Sequence, residues 1–115
     1  MPATIGDLIE KGGRVQWRCE VAPDHSGDAD LARIAAAKGT GFSLANRRPP
    51  CPRPGCPGRV AFLDHTGSWP RALDTIGDRD TAWWDYTDQR RAELLALGWR
   101  IVMGKWVAPA PLTGG

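Results

Sequence analysis

The chain has 115 residues, 42% of them hydrophobic, and a net charge of +2. That length predicts one domain burying about two-thirds of its unfolded surface, and the hydrophobic content excludes wholesale disorder. The small charge argues against strong nonspecific attraction to nucleic acid, while 14 glycines and 10 prolines imply many loops and short elements.

A small, loop-rich domain commonly needs a staple, either disulfides or a metal ion. Three cysteines cannot all pair within one chain, which argues against a secreted disulfide framework. Residues 1–13 carry Asp7, Glu10 and Lys11 and no apolar run long enough for a signal peptide or membrane span. A cytoplasmic, reducing location and a metal staple are therefore expected. Twelve arginines against three lysines, with abundant Ala, Gly and Pro, fit GC-rich codons and so a bacterial or phage gene.

In chain order, Thr4 to Glu10 predicts a short helix, with Thr4 capping it against Asp7 and Gly12 ending it. Arg14 to Cys19 alternates Val15, Trp17 and Cys19 on one face, the pattern of a half-buried strand. Asp24 to Gly27 reads as a turn. Ser26 or Asp28 would then cap a helix through Lys38, with Leu31, Ile34 and Ala35 on one face and Gly39 at its end. Residues 39–50 read as irregular, and Gly58 to Leu63 as a second strand. Asp88 is expected to cap a helix through Leu97, stopped at Gly98. Trp99 to Met103 and Trp106 to Ala108 would form a hairpin, with Gly104 first in a two-residue type II′ turn.

The strongest chemical signal is Cys51-Pro-Arg-Pro-Gly-Cys56-Pro-Gly58. Tetrahedral zinc takes ligands in pairs from tight turns, and a spacing of four lies at the upper end of the usual range. Prolines stiffen such a turn and glycines supply its unusual dihedrals. Cys19 must contribute to the other half, with His25 as its partner and His65 as the reserve histidine. Asp24 is a poorer donor at the same place. Two other readings compete with zinc: three plain buried thiols, or a Cys51–Cys56 disulfide.

The succession Thr4-Ile5-Gly6-Asp7-Leu8, Cys19, His25, Leu31, Ile34, Cys51 and Cys56 resembles small uncharacterised zinc-ribbon-type proteins of alphaproteobacteria. Residues 4–63 carry the resemblance, with one departure: the second cysteine of the first turn is missing, so His25 must serve. The resemblance implies a metal-stabilised fold and no particular activity. Residues 88–102 look locally like the closing helix and strand of very-short-patch-repair endonucleases, without the acidic metal-binding core of those enzymes upstream.

Further residues invite a functional reading. Arg47, Arg48, Arg53 and Arg59 surround the cysteine turn with no acidic residue from Ala45 to Leu63, a candidate nucleic-acid surface or a solvated loop balancing the thiolates. Six tryptophans are many for this length. Trp17, Trp99 and Trp106 fall at strand positions and are expected in the core. Trp83 and Trp84, with Tyr86, are candidates for a protein-interaction anchor. Asp64-His65 and the aspartates of 74–88 lack the nucleophile and pairing that catalysis needs. Gly114-Gly115 reads as a flexible end.

The expected fold is a small α+β domain over 1–115. It comprises a zinc-ribbon-like metal-stapled half (4–67), an acidic and aromatic segment with helix and β-hairpin (68–108), and a flexible tail (109–115). The expected function is a non-enzymatic, zinc-stabilised (Zn2+, structural) binding module, most simply an accessory factor that binds another protein. The alternatives are a nucleic-acid-binding zinc ribbon using the Arg47–Arg59 loop and, more remotely, a metal-dependent hydrolase or nuclease. No membrane association is expected.

Overall fold

Thr4 starts the first helix by the reciprocal bonding its sequence implies. Its hydroxyl accepts the Asp7 N–H at 3.2 Å, and the Asp7 carboxylate accepts the Thr4 N–H at 3.0 Å, a capping box over α1 (Ile5–Glu10). The Thr4 backbone bond, and after it the Thr4 side chain, hold the Asp7 carboxyl below the usual carboxylate range. The computed structural model describes residues 4–109, so the tail beyond Pro109, with Gly114-Gly115, lies outside the described residues. Two compact units emerge, within Met1–Thr75 and Ile76–Gly115. Among the described residues the secondary structure is α+β, and both sheets are antiparallel.

In the first unit, β1 (Val15–Cys19) lies between β2 (Ser26–Asp28) and β3 (Val60–Asp64), and β4 (Arg71–Ala72) adds to the β3 edge. Cys19 sits opposite Val60 and Val15 opposite Asp64. Alternation therefore puts Val15, Cys19, Val60 and Phe62 on one face, and all four are buried. α1 contributes Ile5 and Leu8, each at 0% exposure, and packs against α2 (Leu31–Lys38). Burying each such side chain stabilises by roughly 1.5–3 kcal/mol. Within α2 only Leu31, Ile34 and Ala35 are shielded from solvent, as the helical spacing predicts.

Two expectations need correction. Residues 26–28 are a strand, and the helix is capped by Asp30, whose side chain accepts the Arg33 N–H at 3.0 Å. The reason is Gly27, which faces Trp17 across the pair: a Cβ there would meet the indole at 3.0 Å. A glycine that reads as a turn signal is instead a seat for a large ring. Tryptophan's place is also different from the expectation. Trp17, Trp99 and Trp106 are half-buried, and the described core is aliphatic apart from Phe62 and two cysteines.

The second unit consists of α3 (Thr81–Ala96) and a hairpin of β5 (Arg100–Val102) and β6 (Lys105–Val107). α3 begins at Asp80, eight residues before the expected Asp88 cap, and absorbs Trp83 and Trp84 into its first turn. Adjacent residues on a helix diverge by about 100°. The two rings accordingly meet edge to face, with centroids 4.7 Å apart. Trp84 Nε1 donates to the Asp78 carbonyl at 2.7 Å, while the Asp80 carboxylate accepts the Gly77 N–H. Leu94 alone is fully buried among the described residues of this unit.

The hairpin turn also differs from expectation. Met103 and Gly104 are its central residues, with φ of 52° and 78°, and positive values at both positions define type I′. Met103 is 97% exposed, so nothing repays its left-handed backbone. Met103→Asn is therefore expected to raise the stability of this unit by up to about 1 kcal/mol in a urea melt. A lowered midpoint would contradict the turn assignment.

Candidate metal centre

The hairpin of β1 and β2 brings the first two donors together. Its register pairs Arg18 with Ser26, which makes Cys19 and His25 the next opposed positions. The Cys19 N–H donates to the His25 carbonyl at 2.9 Å, and the His25 N–H to the Ala22 carbonyl at 2.8 Å. The five intervening residues are wide for one turn but suit two ligands facing each other across a hairpin mouth. A third bond in this loop reaches the sulfur, with the Ala22 N–H donating to Cys19 Sγ at 3.4 Å.

A second loop delivers the other two. The Cys51 N–H donates to the Gly58 carbonyl at 2.9 Å, the Val60 N–H to Pro49, and Pro50 bridges Arg59. Cys51 and Cys56 thus hang from a loop whose legs continue β3. Gly55 turns it at φ 78°, and the Cys56 N–H closes onto the Arg53 carbonyl. The Gly58 N–H donates to Cys56 Sγ at 3.4 Å. The Glu20 N–H to Arg59 carbonyl bond, 2.9 Å, joins the two loops.

The result is a cluster of Cys19, His25, Cys51 and Cys56 whose donor atoms all lie within 4.8 Å of one another. Cys19 Sγ is 3.7 Å from Cys56 Sγ, and Cys51 Sγ is 3.7 Å from His25 Nδ1. A disulfide requires sulfurs about 2.05 Å apart, and all three thiols are free. Four donors converging in this way can hold a metal ion. Burial, the largest effect, pushes the Cys56 thiol up from 9.0 to about 11. In the metal-free fold that retained proton contributes stability below pH 9.0, which is lost as pH rises through about 11. An ion binding at neutral pH must displace it.

His65, the reserve histidine, stands elsewhere. It follows Asp64 at the opposite end of β3, five residues or roughly 16 Å from Val60. Its N–H donates to the Arg14 carbonyl at 2.7 Å, and its Nε2 is buried with no hydrogen-bond partner among the described residues. The arginines divide. Arg48 pairs with Asp74 and with Glu20, and Arg59 donates to the Arg48 carbonyl at 3.0 Å. Arg47 lies over the Phe42 ring at 4.7 Å, and Arg53 is exposed. In the second unit Trp84 is 51% exposed, with Trp83 and Tyr86 half-buried. No helix among the described residues is long and apolar enough to cross a membrane.

No protein-family model matches the chain, and no curated protein or solved structure matches it either.

Gly58 is the site residue that sequence reasoning assigned the wrong task. It is buried, and a Cβ on it would stand less than 3.0 Å from Cys19 Sγ. Space, rather than an unusual dihedral, demands glycine here. Gly58→Ala is expected to cost about 1–3 kcal/mol by overpacking, and to weaken metal uptake measured against a chromophoric chelator. Gly55→Ala meets no atom within 4 Å and is expected to cost about 1 kcal/mol, for its positive φ alone. Normal metal uptake and melting by Gly58→Ala would contradict the close approach.

Proposed function

We propose that the four-donor cluster is a structural zinc site and that the chain is a non-enzymatic binding module stapled by it. The observation that carries this reading is the spacing of the donors. Zinc–sulfur bonds of about 2.3 Å and zinc–nitrogen bonds of about 2.0–2.1 Å make tetrahedral edges of about 3.8 Å between sulfurs and about 3.6 Å from sulfur to nitrogen. The two 3.7 Å separations match those edges. Wider pairs, up to 4.8 Å, would be drawn in by up to about 1 Å. Three thiolates and an imidazole form a soft donor set suited to zinc. Four protein ligands also leave no open position, whereas catalytic zinc keeps one for water or substrate.

The folding economics agree with a structural role. Among the described residues, nine of the ten buried hydrophobic ones belong to the first unit, and two of those nine are Cys19 and Cys51. Seven ordinary core side chains are few for this unit, so metal-binding free energy acts directly as folding free energy. The zinc-ribbon resemblance of residues 4–63 points the same way.

The preferred partner is another protein. Trp84 supports this, being half exposed and anchored through its Nε1, a preorganised aromatic of the kind that dominates interface energetics. Nucleic acid is the weaker reading. Arg48 and Arg59 are engaged within the chain, which leaves Arg47 and Arg53 as the accessible cations of that loop.

Purified protein is expected to contain close to one zinc per chain, and Cys51→Ser or Cys56→Ser to unfold the first unit. His25→Ala should lower zinc affinity far more than His65→Ala. Because bound sulfur is deprotonated and the Cys56 thiol is raised, uptake should release protons and apparent affinity should fall with falling pH. Metal-free protein with an unchanged melting temperature would sink the zinc site; a larger loss at His65 would displace only the histidine.

Partner capture from the host is expected to fail for Trp84→Ala with zinc content unchanged, and DNA or RNA to bind no tighter than about 10 µM at physiological salt. Submicromolar, steeply salt-dependent nucleic-acid binding that is lost on Arg53→Ala would establish the other reading instead.

A further inference from the structure

We propose that a groove between α2 and residues 42–49 is the docking site for an acidic peptide segment of another protein, one that inserts a bulky apolar side chain. This rests on the binding-module reading and gives it a second surface and a partner chemistry. The groove has a volume of about 570 Å³, within the range of about 300–1,000 Å³ typical of ligand pockets. Ile34, Phe42, Leu44 and Phe62 supply its apolar lining. Leu44 and Phe62 are 3% and 7% exposed, so they form a firm base rather than a loose surface patch.

The rim is cationic. Arg33, Lys38 and Arg47 line the groove, and none of the three forms an ion pair among the described residues. Arg47 is held across the Phe42 ring, which keeps its charge at the edge of the apolar surface. Glu20 and Asp74 are both paired with Arg48, and Asp30, three residues before Arg33, accepts the Arg33 backbone N–H without forming an ion pair with its guanidinium. An occupant must therefore join an apolar group to surrounding negative charge. The apolar base offers almost no polar atoms, so it cannot read the hydrogen-bonding edge of a nucleobase. An acidic chain with a leucine or aromatic side chain satisfies both requirements, and rim charges of this kind chiefly accelerate association and select partners.

The test pans a random peptide display library against the intact, zinc-loaded chain and measures the enriched peptides by fluorescence anisotropy. Enriched sequences are expected to set Asp or Glu around Leu, Phe or Trp. Arg33→Glu and Lys38→Glu, both exposed helix positions, should each weaken binding roughly tenfold at low salt, and less at high salt. Ala37→Trp, also at the groove, should block it by filling the space. Zinc content and melting temperature must stay unchanged in all three variants, and Trp84→Ala should bind these peptides normally.

Basic or purely polar enriched peptides, or none, would overturn the proposal. So would displacement of bound peptide by single-stranded RNA, or a dimer mass that Ala37→Trp returns to one chain, which would seat a second copy in the groove. Peptides that ignore the groove variants but are lost on Trp84→Ala would overturn the groove and leave the binding-module reading standing.

Discussion

Three thiols and one imidazole brought within 4.8 Å of one another form a constraint on which the first unit depends. Burial is the main reason the Cys56 thiol is raised, and its contacts with Cys19 and Cys51 push in the same direction. A cation held there would tie the two loops together at one point. Cys19 is central. It ends β1, its amide opens the hairpin mouth with His25, and its sulfur receives the Ala22 N–H. Gly58 gives up a side chain so that the second loop can close on that sulfur. Backbone geometry and ligand geometry are therefore one problem, solved jointly by two hairpin-like loops that share the Glu20–Arg59 bond.

A second knot supports the same region by different means. The Arg48 guanidinium lies between Glu20, just past Cys19, and Asp74, beyond β4. Asp74 also accepts the Asn46 N–H at 2.7 Å, and the Asn46 side chain exchanges hydrogen bonds with Thr75. Residues 39–50 contain no helix or extended strand, yet these contacts fix them across the sheet edge. Partial burial of Arg48 and Asp74 makes the pair stronger than a solvated surface bridge, and it converts a basic residue that looks available in the sequence into a structural clamp.

Local chemistry was legible wherever it was self-contained. The Thr4–Asp7 capping box, the alternation of Val15, Trp17 and Cys19, and the Cys51–Cys56 spacing each contain their own physical reason within a few residues. His25 follows Cys19 closely in the sequence, and it reaches the cluster across a hairpin rather than within a single turn. What escaped depends on distant partners. Gly27 is legible as a strand residue only once Trp17 is known to cover it, and Gly58 as a spatial requirement only once Cys19 is beside it. The start of α3 was hidden for another reason. Adjacent tryptophans and repeated aspartates look like a loop, and the short-range benefit of Trp84 bonding Asp78 is invisible to periodicity.

The same distribution of tasks explains why apolar surface remains outside the core. A unit closed chiefly by aliphatic packing would need its helix pressed onto the sheet along its full length. Here the cluster and the Arg48 clamp hold the loops instead, and α2 has no fully buried residue. Ile34 and the Phe42 ring, both half-buried, form groove walls over a closed base of Leu44 and Phe62. The groove thereby sets Ile34, Phe42, Leu44 and Phe62 beside Arg33, Lys38 and Arg47, none of which forms an ion pair among the described residues.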